Sequence, residues 1–73
     1  MAYKYNYNKL KGRIVEKLEN QKNFTNLMHL SGQTITQKLN GNIEFKQSEI
    51  QRACEILDIP LTEVKEYFFS QNS

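Results

Sequence analysis

The sequence predicts an all-α domain of about five short helices. Apolar residues recur at steps of three and four in five separate stretches, which is the helical period. Those stretches are punctuated by helix-starting Asn, Ser and Thr and by one helix-stopping Asn-Gly pair. Pro60 is the only proline, and no Gly/Ser-rich linker or internal repeat interrupts the 73 residues, so residues 1–73 form one domain. A chain of this size buries only about 60% of its unfolded surface, and its stability margin is correspondingly thin.

The first helix is expected from Asn6, as N-cap, to about Glu19, with Tyr7, Leu10, Ile14 and Leu18 as one stripe. Gly12 lies inside it at a cost of about 1 kcal/mol relative to Ala, which suggests that another backbone passes close by. The polar break Asn20-Gln21-Lys22 ends this helix, and Asn23 caps a two-turn second one with Phe24, Leu27 and Met28 on its inner face. Ser31 starts the third, Asn40-Gly41 supplies a left-handed stop, and Ile35 and Leu39 form its narrow apolar edge. A fourth helix covers about Gln47 to Leu57, with Ile50, Ala53, Cys54 and Leu57 inward and Phe45 ahead of it as a hydrophobic staple. After Asp58-Ile59-Pro60, Thr62 caps a fifth helix carrying Leu61, Val64 and Phe68. Residues 70–73 read as a frayed tail and residues 1–5 as a candidate N-terminal arm.

Composition excludes several classes. Apolar residues make up 38% and charged residues 25%, ordinary for a globular protein. No apolar run approaches the roughly 20 residues of a membrane span, and MAYKYNYNK lacks the apolar region of a secretory signal, so a cytoplasmic protein is expected. One cysteine, Cys54, and one histidine, His29, supply neither a disulfide nor a four-ligand zinc site. No metal, cofactor or small-molecule ligand is expected. The net charge of +2 hides an asymmetry: residues 1–46 hold eight basic and three acidic side chains, whereas residues 47–73 hold two and five. That split suggests a polyanionic partner on the first part's side, the alternative being a chance placement of solvated charges.

The stretch LSGQTITQKLNG, residues 30–41, is the most informative. A helix face meant only for solubility carries opposite charges four apart; this one carries Gln33, Thr36 and Gln37. Amides and hydroxyls both donate and accept, and they suit the edges of base pairs: Gln can bond adenine N6 and N7 together, and Thr can meet several edges. Gly32 lets the first turn approach a backbone closely, where the helix dipole and free N–H groups favour phosphate. With the preceding helix, NFTNLMHLSGQTITQKLNG has the length and apolar spacing of a helix-turn-helix, its second helix in the recognition position.

From about Tyr7 to Phe69 the chain resembles the small phage Cro-like regulators of the Xre-type helix-turn-helix class. The resemblance is carried by KLKGRI at 9–14, FTNLMHLSGQTITQKLNG at 24–41, EFKQSEI at 44–50 and EYFF at 66–69. It implies a lambda-repressor-like DNA-binding fold and a repressor that acts at an operator, generally as a homodimer on palindromic double-stranded DNA. It also implies base contact by Gln33, Thr36 and Gln37, phosphate contact by Ser31, Thr34 and Asn40, and core roles for Phe24, Leu27, Ile35 and Leu39. Gly32 and Lys38 join the phosphate set on their own chemistry. Thr25 stands where the family has a small residue, and His29 where it often has Gly; a histidine accepts a left-handed backbone more readily than a β-branched residue does.

The remaining candidates carry no reaction. His29 lacks a nucleophilic partner, Cys54 falls on an inward stripe, and Glu63 and Glu66 complement the dipole of a helix start. Tyr3, Tyr5 and Tyr7 alternate as a short strand, a DNA-contacting arm or the lead into the first helix would. Phe68 and Phe69 either both fold back, or Phe69 turns outward to meet a second subunit or Tyr3 and Tyr5, which makes these three residues the candidate dimer contact. The expected function is sequence-specific regulation of transcription without catalysis. The rival from another class is an antirepressor-like protein-interaction module on the same scaffold.

Overall fold

The computed structural model describes residues 5–70. The described residues form five α-helices, α1 (Asn8–Leu18), α2 (Gln21–Met28), α3 (Gly32–Leu39), α4 (Gln47–Leu57) and α5 (Val64–Phe68), with a 3₁₀ turn, Leu61–Glu63, leading into α5. The all-α expectation holds, and Tyr5, outside the helices, makes only a single bridge.

One core joins all five helices. Leu10 and Ile14 of α1, Phe24 of α2, Ile35 of α3, Leu57 of α4 and Phe68 of α5 are its largest fully buried side chains. α1 packs against α2, α4 and α5, and α2 also packs against α4 and α3. Arg13 ties α1 to the end of α4: its guanidinium donates to the carbonyls of Leu57 (3.0 Å) and Asp58 (2.9 Å) and pairs with Glu16. These carbonyls are among those a helix C-terminus leaves unpaired.

Several local expectations are corrected. α1 begins at Asn8, because the Asn6 side chain accepts the Asn8 N–H from two residues outside the helix. α2 begins three residues earlier than Asn23 as its cap would require: Asn20 is the N-cap and accepts the Asn23 N–H at 2.9 Å. Asn23 instead donates its side-chain amide to the Leu18 carbonyl, tying α2 to the end of α1. Gly12 faces solvent, and a Cβ there would meet nothing within 4 Å, so no backbone passes close. Leu27 is exposed at the edge of α2 rather than buried. Thr62 caps nothing, because the chain enters α5 through the 3₁₀ turn, and Leu61 is 81% exposed. Ile59 and Tyr67, absent from the expected stripes, are buried instead.

The aromatics form a chain of edge-to-face contacts, an arrangement their quadrupoles favour. Phe69 meets Tyr5 (5.6 Å between centroids), Tyr5 meets Tyr7 (6.5 Å), and Phe45 bridges Tyr7 and Phe68 (5.3 Å each). Adjacent helical positions point about 100° apart. Phe68 is accordingly interior, while Phe69 stays 43% exposed against Tyr5. Ser70 belongs to the folded body rather than to a frayed tail: its carbonyl accepts the Asn6 N–H at 2.6 Å. Residues 1–4 of the expected arm, Tyr3 among them, and residues 71–73 of the expected tail lie outside the described residues.

Candidate nucleic-acid interface

α2 and α3 are joined by His29, Leu30 and Ser31. His29 adopts the left-handed conformation at φ 59°, ending α2, and Ser31 re-enters extended backbone to cap α3. The Ser31 hydroxyl accepts the Thr34 N–H (3.1 Å) and donates to the Thr34 hydroxyl (2.8 Å). The other end of α3 is a Schellman motif. Gly41 is left-handed at φ 81°, its N–H reaches the Lys38 carbonyl (3.0 Å), and the Asn42 N–H reaches the Gln37 carbonyl (2.9 Å). A start signal and a stop signal thus frame a helix of eight residues.

Ile35 and Leu39 are buried, which turns Gln33 and Thr36 to solvent and leaves Gln37 half-buried. The three expected base-contacting residues therefore share the outward side of α3. Gln33 makes no side-chain hydrogen bond within the described residues, whereas Thr36 and Gln37 each have a partner. The Gln21 amide of α2 donates to the Thr36 hydroxyl at 3.0 Å, and the Asn42 amide donates to Gln37 Oε1 at 2.8 Å. Of the expected phosphate-contacting set, Ser31, Gly32 and Asn40 are exposed and Thr34 is half-buried.

Lys38 does not belong with them. It is 3% exposed, its ammonium is 2.8 Å from Glu49 Oε1 and 2.9 Å from the Glu44 carbonyl, and it lies over the Phe45 ring. Its charge is spent inside the domain, fastening the end of α3 to the start of α4. Burial by itself pushes the Glu49 carboxyl up, but the Lys38 hydrogen bond, the Lys46 N–H and the two lysine charges outweigh it and hold the pKa below the ordinary value. The exposed face of α3 is consequently uncharged; exposed lysines stand nearby in sequence at Lys22 of α2 and Lys46 before α4.

Gln21 and Asn42 are the residues of this surface that sequence reasoning missed. The polar break Asn20-Gln21-Lys22 reads as a linker after α1 and so hides Gln21, which as the residue after the cap is the first position of α2. Asn42 was legible in principle, since a Schellman stop always brings that position back to the third-last helical residue. Lys38 also left a trace, three residues after Ile35 on the buried side.

No metal-binding cluster of His, Cys, Asp or Glu occurs among the described residues, and no helix there is long and apolar enough to cross a membrane. Cys54 is buried, and burial followed by the Glu55 charge pushes its thiol pKa up, as suits a packed side chain.

The sequence matches, over residues 1–71, the family described as "Protein of unknown function (DUF739)". The chain belongs to the DUF739 family. This DUF739 member is also similar to a protein of known solution structure, the modulator of repression (MOR) of the temperate bacteriophage TP901-1 from Lactococcus lactis. The two are 38% identical and superpose with a TM-score of 0.79, over 90% of this chain and 89% of that one. No curated protein matches the chain.

Proposed function

We propose that this DUF739 member is a phage regulator that binds operator DNA through α3 as a Cro-like repressor of the Xre type. The observation that carries the reading is the outward side of α3. A helix held by two buried apolar residues and the buried Lys38, with a Ser N-cap and a Schellman stop, presents Gln33, Thr36 and Gln37 together on an uncharged face. Such groups read base edges in a major groove wide enough for a helix. Phosphate contact falls to the α3 N-terminus at Ser31 and Gly32, to Thr34 and Asn40, and to neighbouring exposed lysines. A domain this small covers about half an operator, so a homodimer on DNA, with half-sites roughly 34 Å apart, completes the reading. Phe69 and Tyr5 are its candidate contacts. The protein acts in the host cytoplasm and needs no cofactor and no catalysis.

Similarity to a modulator of repression supports a regulatory role and also favours a second reading, an interaction module that acts on another regulator. The withdrawal of Lys38 from the surface favours it too, as does a half-open groove of about 520 Å³ lined by Tyr5, Phe45, Ile50, Val64 and Phe69. A mobility-shift titration with promoter DNA, with and without excess random duplex, separates the two. Operator binding predicts a shift that survives the competitor and is lost in Gln33→Ala/Gln37→Ala. A shift abolished by the competitor, or none, leaves the interaction module.

A further inference from the structure

The partners of Thr36 and Gln37 decide which atoms those side chains can offer. Gln37 has one amide oxygen and two amide hydrogens. Its oxygen accepts the Asn42 amide at 2.8 Å, while the Asn42 main chain is pinned to the Gln37 carbonyl by the stop of α3. With the oxygen turned toward residue 42, the NH₂ group is the end left over. Thr36 is constrained in the same sense: its oxygen accepts from Gln21 Nε2 at 3.0 Å, and its hydroxyl hydrogen has no acceptor among the described residues.

We propose that Gln21 and Asn42 polarise the outer face of α3 toward donation, so that Thr36 and Gln37 select acceptor-rich base edges, guanine above all. This rests on the DNA-binding reading and adds to it the identity of the preferred base. Guanine shows two acceptors in the major groove, N7 and O6, whereas adenine shows N7 beside the N6 donor. An amide offering two hydrogens matches the first edge and conflicts with the second. Gln33, with no partner to orient it, keeps the bidentate adenine contact open to it. Gln21 and Asn42 are thus positioning residues for specificity.

The test uses the full chain and a library of random duplexes. Selection with the wild-type protein gives the preferred site, and Gln37→Ala identifies the base pair at which preference disappears. The inference expects guanine over adenine there by about fivefold or more. Asn42→Asp, whose carboxylate only accepts, should draw the Gln37 NH₂ inward, turn its oxygen outward and reverse that ratio. Asn42→Ala should abolish the preference instead. Comparing two duplexes for each variant cancels the general weakening caused by the added negative charge. Gln21→Glu supplies a second, independent reversal at the base pair read by Thr36, and carries the test if Asn42→Asp does not fold. Adenine preferred at the Gln37 position by the wild type, or a ratio unmoved by both reversals, overturns the inference and leaves DNA binding standing. A wild-type protein that selects no sequence overturns both.

Discussion

Lys38 Nζ lies 2.8 Å from Glu49 Oε1, with both side chains largely removed from solvent, so the last turn of α3 is fastened to the first turn of α4 by an internal ion pair. Removing one partner of a buried pair leaves an uncompensated charge and costs about 3–5 kcal/mol, whereas replacing both by apolar residues of similar size is often neutral. Lys38→Met alone should therefore unfold much of the protein, and Lys38→Met/Glu49→Leu should restore the fold, as read by urea midpoints. On the proposed operator-binding reading, the double variant should bind DNA with an unchanged salt dependence, because Lys38 is turned into the domain. A slope flatter by about one unit would return it to the phosphate set.

The same pair makes stability depend on acid. The Glu49 pKa is held below its ordinary value in the folded protein, so the folded state binds that proton less readily than the unfolded chain. Its contribution is fully present above the unfolded glutamate pKa of about 4.3 and is lost as the pH falls through the lowered folded value. Melting temperatures measured between about pH 3 and pH 7 should fall more steeply on the acid side for the wild type than for the double variant. Equal slopes would mean that other carboxylates govern acid unfolding.

Two glycines separate stability from binding. Gly12 sits in the middle of α1 and Gly32 at the start of α3, and neither has a neighbour within 4 Å of an added Cβ. Gly12→Ala should stabilise the domain by about 0.5–1 kcal/mol and, on the proposed operator-binding reading, leave DNA affinity alone. Gly32→Ala should not reduce the melting temperature, yet should weaken operator binding if the first turn of α3 seats against a phosphate. Unaltered affinity would show that the backbone approach there is not close.

Arg13 is expected to matter through two carbonyls rather than through its salt bridge. Its partner Glu16 is well exposed, and an exposed pair contributes little, whereas the hydrogen bonds to the Leu57 and Asp58 carbonyls close the end of α4. Arg13→Ala should cost about 1–3 kcal/mol and Glu16→Ala less than about 0.5 kcal/mol, by denaturant unfolding. A larger effect at Glu16 would reverse the assignment.

What the sequence determined by itself was local: the helical period of each apolar stripe, the Ser31 start and Asn40-Gly41 stop of α3, the bounds of α4, and the outward placement of Gln33 and Thr36. Backbone propensity and spacing are properties of neighbouring residues, and neighbours suffice to specify them. Tertiary structure alone decided that Lys38 turns inward to Glu49, that Gly12 faces solvent, that Leu61 is exposed while Ile59 and Tyr67 are buried, and that Gln21 reaches Thr36 across the helix pair. Each of these depends on residues distant along the chain or on the angle at which two elements meet. A lysine on the edge of an apolar stripe is a surface charge until a carboxylate from another helix is brought to it, and only packing brings one.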